Sequence, residues 1–396
     1  MKQNKRISNT PKYLFAEIDK KKAASIARGV DLIDLSIGDP DQPTPKYIID
    51  SMKKALDDPS THNYPPYEGT KDFRTAVSKW YKKRFNVDLD PESEVMSLIG
   101  SKEGIAHMIF ALIDPGDVSL VPDPSYPVYK VCTILAGGTP HMLPLKKENG
   151  FLPDLDSIDA QTLKKAKLMF INYPNNPTSA TASREFLEKA VKFCKKNDII
   201  LCSDLAYSEV CFGNYAAESI LQIPGAKDIA VEFHSLSKTF NMTGWRIGMA
   251  VGSKDAIKAL AIIKTNVDSG AFKAIQKAAI DALNGPEGFT KGMNLIYEKR
   301  MKAMIDGLNS IGWKLDHTKA TFYVWVPVPK GYTSASFCEV LLEKCGVLVV
   351  PGSGYGESGE GYVRFCITAD ESRIKEAIQR IKSEGIRGDQ LKALKN

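Results

Sequence analysis

The 396-residue chain is expected to be an α/β protein. A large domain, with a mostly parallel mixed sheet flanked by helices, would be followed by a smaller α+β domain. Three observations carry this expectation. From about residue 46, short apolar runs bounded by turn residues alternate with stretches of helical periodicity, the pattern of strands and helices that build a parallel sheet. The turn-forming Asn284-Gly285-Pro286 interrupts that pattern, and beyond it the apolar runs alternate as in a small mixed sheet. Length divided by about 150 residues gives two to three domains.

Taken in order, residues 1–45 are expected to form an arm that packs with the small domain. Residues 46–285 form the large domain. Ile48-Ile49, Met52 and Leu56 share one helical face, as do Phe73, Val77, Trp80 and Tyr81, and then Ile105, Met108-Ile109 and Leu112. Strands are expected at Val118–Val121, Leu168–Ile171, Ile199–Cys202, Ile229–Phe233 and Gly248–Val251. Residues 286–396 form the small domain, with a helix over 288–309, strands at Phe322–Val326, Val347–Val350 and Tyr362–Ile367, and a last helix over 370–384.

Composition excludes several classes. With 43% hydrophobic and 25% charged residues, the chain is neither disordered nor fibrous. No window approaches the ~20 apolar residues of a membrane span. The lysine-rich start lacks the apolar stretch of a secretory signal, so a cytoplasmic protein is expected. Residues 1–30 carry eight Lys/Arg against two Asp/Glu, which accounts for the whole net charge of +6. The remaining body is balanced and has no basic excess for nucleic acid. Seven irregularly spaced cysteines without a C-x-x-C read as buried free thiols. The five histidines give no coherent ligand set, so no metal is assigned.

Chemistry is concentrated in a few loops. Lys238 stands just past an apolar strand, among Ser235, Ser237 and Thr239, at the edge where open α/β sheets bind ligands. A lysine amine there is either a surface charge or a group able to form a Schiff base with a carbonyl. Asp204 follows another strand, with Tyr207 three residues later. The carboxylate is a turn residue, or the partner of a pyridinium nitrogen that makes a cofactor ring an electron sink. In Asn172-Tyr173-Pro174-Asn175-Asn176-Pro177-Thr178, the Asn/Pro density fits a plain turn, and Asn176 also suits a phenolate oxygen.

Together these motifs resemble the fold-type I pyridoxal-phosphate aminotransferases of class I/II. N-P-T (176–178), D-x-A-Y (204–207), S-x-S-K (235–238) with Arg246 eight residues on, and R-F-C-I (364–367) occur in that family's order across nearly the whole chain. The resemblance implies pyridoxal 5'-phosphate as cofactor and Lys238 as the catalytic lysine that carries it and shuttles the α-proton. Asp204 would hold the ring nitrogen, Tyr207 and Asn176 the phenolic oxygen, and Tyr126 the ring face. Ser101 and Lys102 at a helix start, with Ser235, Ser237 and Arg246, would cup the phosphate. Tyr64 matches a tyrosine that reaches the phosphate from the neighbouring subunit, which implies a homodimer with shared active sites. Arg364 would clamp the substrate carboxylate, whose shape its planar fork suits, with Gly38 as a backbone contact.

Within that family, residues 34–41, 98–107, 232–251 and 266–270 are most similar to LL-diaminopimelate aminotransferases. These enzymes make LL-2,6-diaminopimelate from tetrahydrodipicolinate and glutamate for lysine biosynthesis. Lys102, Tyr126, Asn176 and the region of Tyr13 would then place the substrate. One departure is visible: better-known members carry a glutamate three residues after the tyrosine matching Tyr64, where this chain has Tyr67 with Glu68 beside it. Aspartate, alanine or aromatic aminotransfer therefore stays open. Other classes fit worse. The S-x-x-K of acyl-transfer serine enzymes comes without S-D-N or K-T-G. Gly352-Ser353-Gly354-Tyr355-Gly356 lacks the following helix of a dinucleotide site and reads as a flexible loop at the site's mouth. A non-catalytic regulator on this scaffold would be expected to have lost Lys238 or Asp204, and a fused DNA-binding domain does not fit into about 30 leading residues.

Overall fold

The computed structural model describes residues 3–11 and 14–389. Its main sheet has seven strands: β2 (Val95–Leu98), β3 (Val118–Asp123), β4 (Thr139–Pro144), β5 (Ala166–Ile171), β6 (Ile200–Asp204), β7 (Ala230–Ser235) and β8 (Gly248–Gly252), in spatial order β2-β8-β7-β6-β5-β3-β4. From β7 through β4 every pairing is parallel, and only β8 runs against its neighbours. Both faces are covered by helices, so the central strands are apolar on both sides. In β5, Leu168 and Phe170 enter the core beside the helix Ser101–Leu112, while Met169 and Ile171 enter the opposite core with Phe73 and Tyr81. Since β3, β5, β6 and β7 are parallel, the residues that follow them gather at one edge.

The expected strands and helices occur at the expected places, with two differences. Val347–Val350 is not one strand. It splits at Val349 into β10 (Val347–Leu348), parallel to β1 (Ile33–Asp34), and β11 (Val350–Pro351), antiparallel to β12 (Tyr362–Cys366). β12 in turn pairs antiparallel with β9 (Tyr323–Pro327). A single apolar run thus ties the N-terminal segment and the small sheet together. The glycine-rich stretch after it is no flexible loop but two short 3-10 turns, Gly352–Tyr355 and Glu357–Gly359. A side chain at Gly352 would strike the Gly359 and Tyr362 carbonyls, and Ser358 donates twice to Asp123.

The N-terminal segment makes side-chain contacts as well. Besides the β1–β10 pairing, Asp31 is gripped by Arg373 and Arg380 of the helix Glu371–Ser383, and Lys21 reaches Glu339 at 2.8 Å. The helix Gly288–Ser310 lies against that last helix through Met301, Met304, Ile305 and Leu308, all within the core of the small sheet. Among the described residues all seven cysteines are free, six of them buried. No helix among the described residues is long and apolar enough to cross a membrane.

Candidate active site

β6 ends on Asp204, which is 6% exposed. Burial pushes its carboxyl up to about 6. The Tyr129 hydroxyl donates to Oδ2 at 2.6 Å, and the Asn172 amide donates to the Asp204 backbone carbonyl at 2.7 Å. Tyr129 is itself held by stacking on Phe170, with ring centroids 4.8 Å apart. Oδ1 is buried without a hydrogen-bond partner. Such an atom disfavours the ionised fold unless a donor arrives from the cavity.

β7 ends on Ser235, whose hydroxyl accepts from the Ser237 N–H at 3.2 Å and so opens the one-turn helix Leu236–Thr239. That turn aims Lys238 into the same cavity, where its Nζ donates to the Gly38 carbonyl at 2.7 Å. Removal from bulk water lowers its amine to about 8, against the pull of Asp39. A neutral amine is therefore accessible near physiological pH, as a proton-shuttling base requires.

The Asn/Pro turn after β5 has a structural task as well. Asn172 Oδ1 accepts from the Asn176 N–H at 2.8 Å, and Asn175 Oδ1 accepts from the Thr178 N–H at 2.9 Å. So held, Asn176 Oδ1 accepts from Arg364 Nη1 at 2.8 Å, while Arg364 Nη2 donates to the Ser36 carbonyl at 2.6 Å. Arg364 is 2% exposed, and its guanidinium lies 4.3 Å from the Tyr323 ring centroid and 5.1 Å from that of Tyr355. The Tyr207 hydroxyl lies 2.7 Å from that of Tyr323.

Opposite, the helix Ser101–Leu112 begins at Gly100, whose φ of 109° belongs to glycine. A side chain there would run into the Arg246 guanidinium, so the missing Cβ makes room for the arginine at the helix N-terminus. Arg246 Nη1 is steadied by the Thr243 carbonyl at 2.9 Å. An N-terminus of free N–H groups beside a guanidinium suits a phosphate. Lys102 Nζ lies 5.9 Å from the Tyr126 ring centroid.

One cavity of about 330 Å³ joins these groups: Gly38, Ser101, Lys102, Tyr126, Asn176, Asp204, Tyr207, Ser235, Ser237, Lys238, Arg246 and Arg364 all line it. Two expected site residues are not among them. Tyr64 is 84% exposed on the outer surface of this single chain, and Tyr13 lies outside the described residues. Four neighbours escaped the sequence reading: Tyr129, Tyr323, Tyr355 and Asp39. Tyr129 lies in the helix Val128–Ala136, where an aromatic reads as an ordinary core residue. Elsewhere, Glu103, His107 and Asp268 approach one another as metal ligands do. The buried Lys264 ammonium already supplies the cation there, 3.3 Å from Glu103 and 3.0 Å from Asp268.

Comparison with known proteins identifies the family. The chain is 56% identical to LL-diaminopimelate aminotransferase 2 of Trichormus variabilis over 384 residues, 97% of this chain and 98% of that one. It is 55% identical to the LL-diaminopimelate aminotransferase of Aquifex aeolicus over 378 residues, 96% and 98% of the two chains. Among solved structures, substrate-bound BacF from Bacillus subtilis superposes with a TM-score of 0.94 at 36% identity, covering 99% of this chain and all of that one. A Thermus thermophilus aspartate aminotransferase variant gives 0.90 at 27% identity, covering 97% and 99%. The profile of the class I and II aminotransferases matches residues 30–381, and the chain belongs to that family, an enzyme of the transaminase type.

Proposed function

We propose that the cavity holds pyridoxal 5'-phosphate and that the enzyme transfers an amino group between LL-2,6-diaminopimelate/tetrahydrodipicolinate and glutamate/2-oxoglutarate, a step of lysine biosynthesis. The observation that carries the cofactor is the buried, unpartnered Asp204 Oδ1 in the cavity that also receives Lys238. A protonated pyridine nitrogen is the donor that this oxygen lacks. When bound, the cofactor supplies an aldehyde and a ring that takes up electron density from the substrate α-carbon.

The chain's residues divide the remaining work. Asp204 keeps the ring nitrogen protonated, and Tyr129 orients Asp204. Tyr207 and Asn176 bond the phenolic oxygen, and Tyr126 covers the ring. Ser101, Lys102, Ser235, Ser237 and Arg246 hold the phosphate, joined by Tyr64 from the second subunit of a homodimer. Arg364 binds the substrate α-carboxylate bidentately, beside the backbone of Gly38. Lys238 Nζ takes the α-proton and returns it, since burial holds its amine at about 8. The Lys102 ammonium at the cavity wall suits the second carboxylate of a diaminodicarboxylate, and relatives over 50% identical along nearly the whole chain bear that enzyme's name.

The test is half-transamination followed by visible absorbance. Rapid bleaching of the yellow enzyme by LL-diaminopimelate and glutamate is expected, with little from the meso isomer, aspartate, alanine or phenylalanine. Bleaching mainly by the last three would move the enzyme to general aminotransfer. Lys238→Ala is expected to abolish turnover, and a normal rate in that variant would overturn the assignment of the base.

A further inference from the structure

Residues 36–44 run without regular secondary structure between β1 and the helix Lys46–Leu56, and Ile37, Gly38 and Asp39 line the cavity. This strap carries Gly38, which must stay within reach of Lys238 and leave room for Tyr323; a Cβ on Gly38 would collide with the Tyr323 phenol. Its ties come from two sides. The Ser36 carbonyl accepts from Arg364 at 2.6 Å, and the Ile37 carbonyl from the Thr368 hydroxyl at 2.6 Å. The Gly38 carbonyl accepts from Lys238 at 2.7 Å, and the Thr44 hydroxyl donates to the Asn241 carbonyl at 2.6 Å.

Between Gly38 and Thr44 the tie is an ion pair. Arg300, on the helix Gly288–Ser310, donates from Nη1 to Asp41 Oδ1 at 2.7 Å and from Nη2 to Oδ2 at 2.9 Å. Among the described residues it is the one hydrogen-bonded link from residues 39–43 to the rest of the fold. Arg300 is 4% exposed and its Nη1 also reaches the Ile367 carbonyl, three residues past Arg364. Arg300 is buried while the Asp41 side chain is 26% exposed, and for stability alone an apolar side chain of similar volume often serves as well as a buried charged one. A two-pronged pair fixes position and angle. Here it fixes the strap to the helix Gly288–Ser310 and, through the Ile367 carbonyl, to the end of the strand that carries Arg364.

We propose that Arg300 and Asp41 are positioning residues for the amino-acid substrate: their ion pair holds the strap so that the Gly38 backbone and Arg364 face the α-carboxylate together. The inference rests on the cavity being the amino-acid site described above. Neither residue touches the phosphate cup, so substrate binding depends on the pair and cofactor binding does not.

Arg300→Met and Asp41→Asn, made separately and together in the holoenzyme, test this. Each single variant is expected to raise KM for the amino acid on the order of 10- to 100-fold, with a smaller change in kcat and an unchanged pyridoxal phosphate dissociation constant by absorbance titration. The double variant loses no more than the worse single one, because the two residues act as a pair. Arg300→Lys restores only part of the loss, since an ammonium lacks the fork. The slow half-reaction of a primary alkylamine, which has no carboxylate, falls in none of them. Wild-type KM in both single variants, or KM and cofactor affinity weakening by the same factor, would overturn the positioning role alone. A wild-type protein that takes up no pyridoxal phosphate would overturn the reading of the site and this inference with it.

Discussion

Asp204 is a group that folding by itself disfavours. A carboxyl raised from 3.8 to about 6 by burial costs the cofactor-free fold about 3 kcal/mol at neutral pH. Because the folded-state value lies above the unfolded one, that cost appears as pH rises through this interval and is complete above it. Asp204→Asn keeps an acceptor for Tyr129 and removes the buried charge, so without cofactor it is expected to melt a few degrees higher than the wild type above neutral pH. The difference should vanish near pH 4, and saturating pyridoxal phosphate should reverse the order. A cofactor-free variant that melts lower at every pH would show that the carboxylate stabilises the fold. The same residue shows what sequence makes legible. Asp204, Lys238 and Arg364 sit in short motifs with recognisable spacing and can be read locally. Tyr129 and Tyr323 reach the site only because a helix and a strand of the small sheet fold onto it. Their signals were an aromatic in a helix and an aromatic in a strand, which are ordinary core positions.

At the scale of elements, the parallel strands β3, β5, β6 and β7 were legible because covering both sheet faces makes them continuous apolar runs. The two missed strands of the main sheet are both edges: β2 pairs only with β8, and β4 only with β3. β4 contains Pro140 and Pro144, which an edge strand accommodates. The split of β10 from β11 was illegible, since one apolar run serves two sheets equally well. The element that shapes the proposed phosphate cup is the start of the helix Ser101–Leu112. Gly100 has φ 109° and ψ 149°, a region in which other residues are strained by about 1–3 kcal/mol, and its Cα faces the Arg246 guanidinium. Gly100→Ala is expected to displace Arg246 and weaken pyridoxal phosphate binding about tenfold or more. The substrate KM at saturating cofactor should change much less. Fluorescence or absorbance titration measures the first and steady-state kinetics the second. Unchanged cofactor affinity would remove Arg246 from the cup.

At the scale of the whole molecule, one surface stays unexplained by a single chain. Tyr64 is 84% exposed, Val267 66% and Tyr67 45%. The segments that bear them touch, since Gly270 packs against Pro65 and Pro66. Contiguous exposed aromatic and aliphatic side chains mark an interface. The proposed homodimer covers this surface and carries Tyr64 to the partner's phosphate. In that arrangement Lys238 and Tyr64 of one chain serve different sites. Lys238→Ala is expected to be inactive alone. Tyr64→Ala should bind cofactor about tenfold to a hundredfold more weakly, the loss of one hydrogen bond to a charged group. After subunit exchange, a heterodimer of the two variants contains one site with both residues intact. An equal mixture should therefore recover about one native site in four at limiting cofactor, well above the sum of the separate variants. Activity that never exceeds that sum, in a mixture shown by tagged pull-down to have exchanged subunits, would place Tyr64 in its own chain's site or in none.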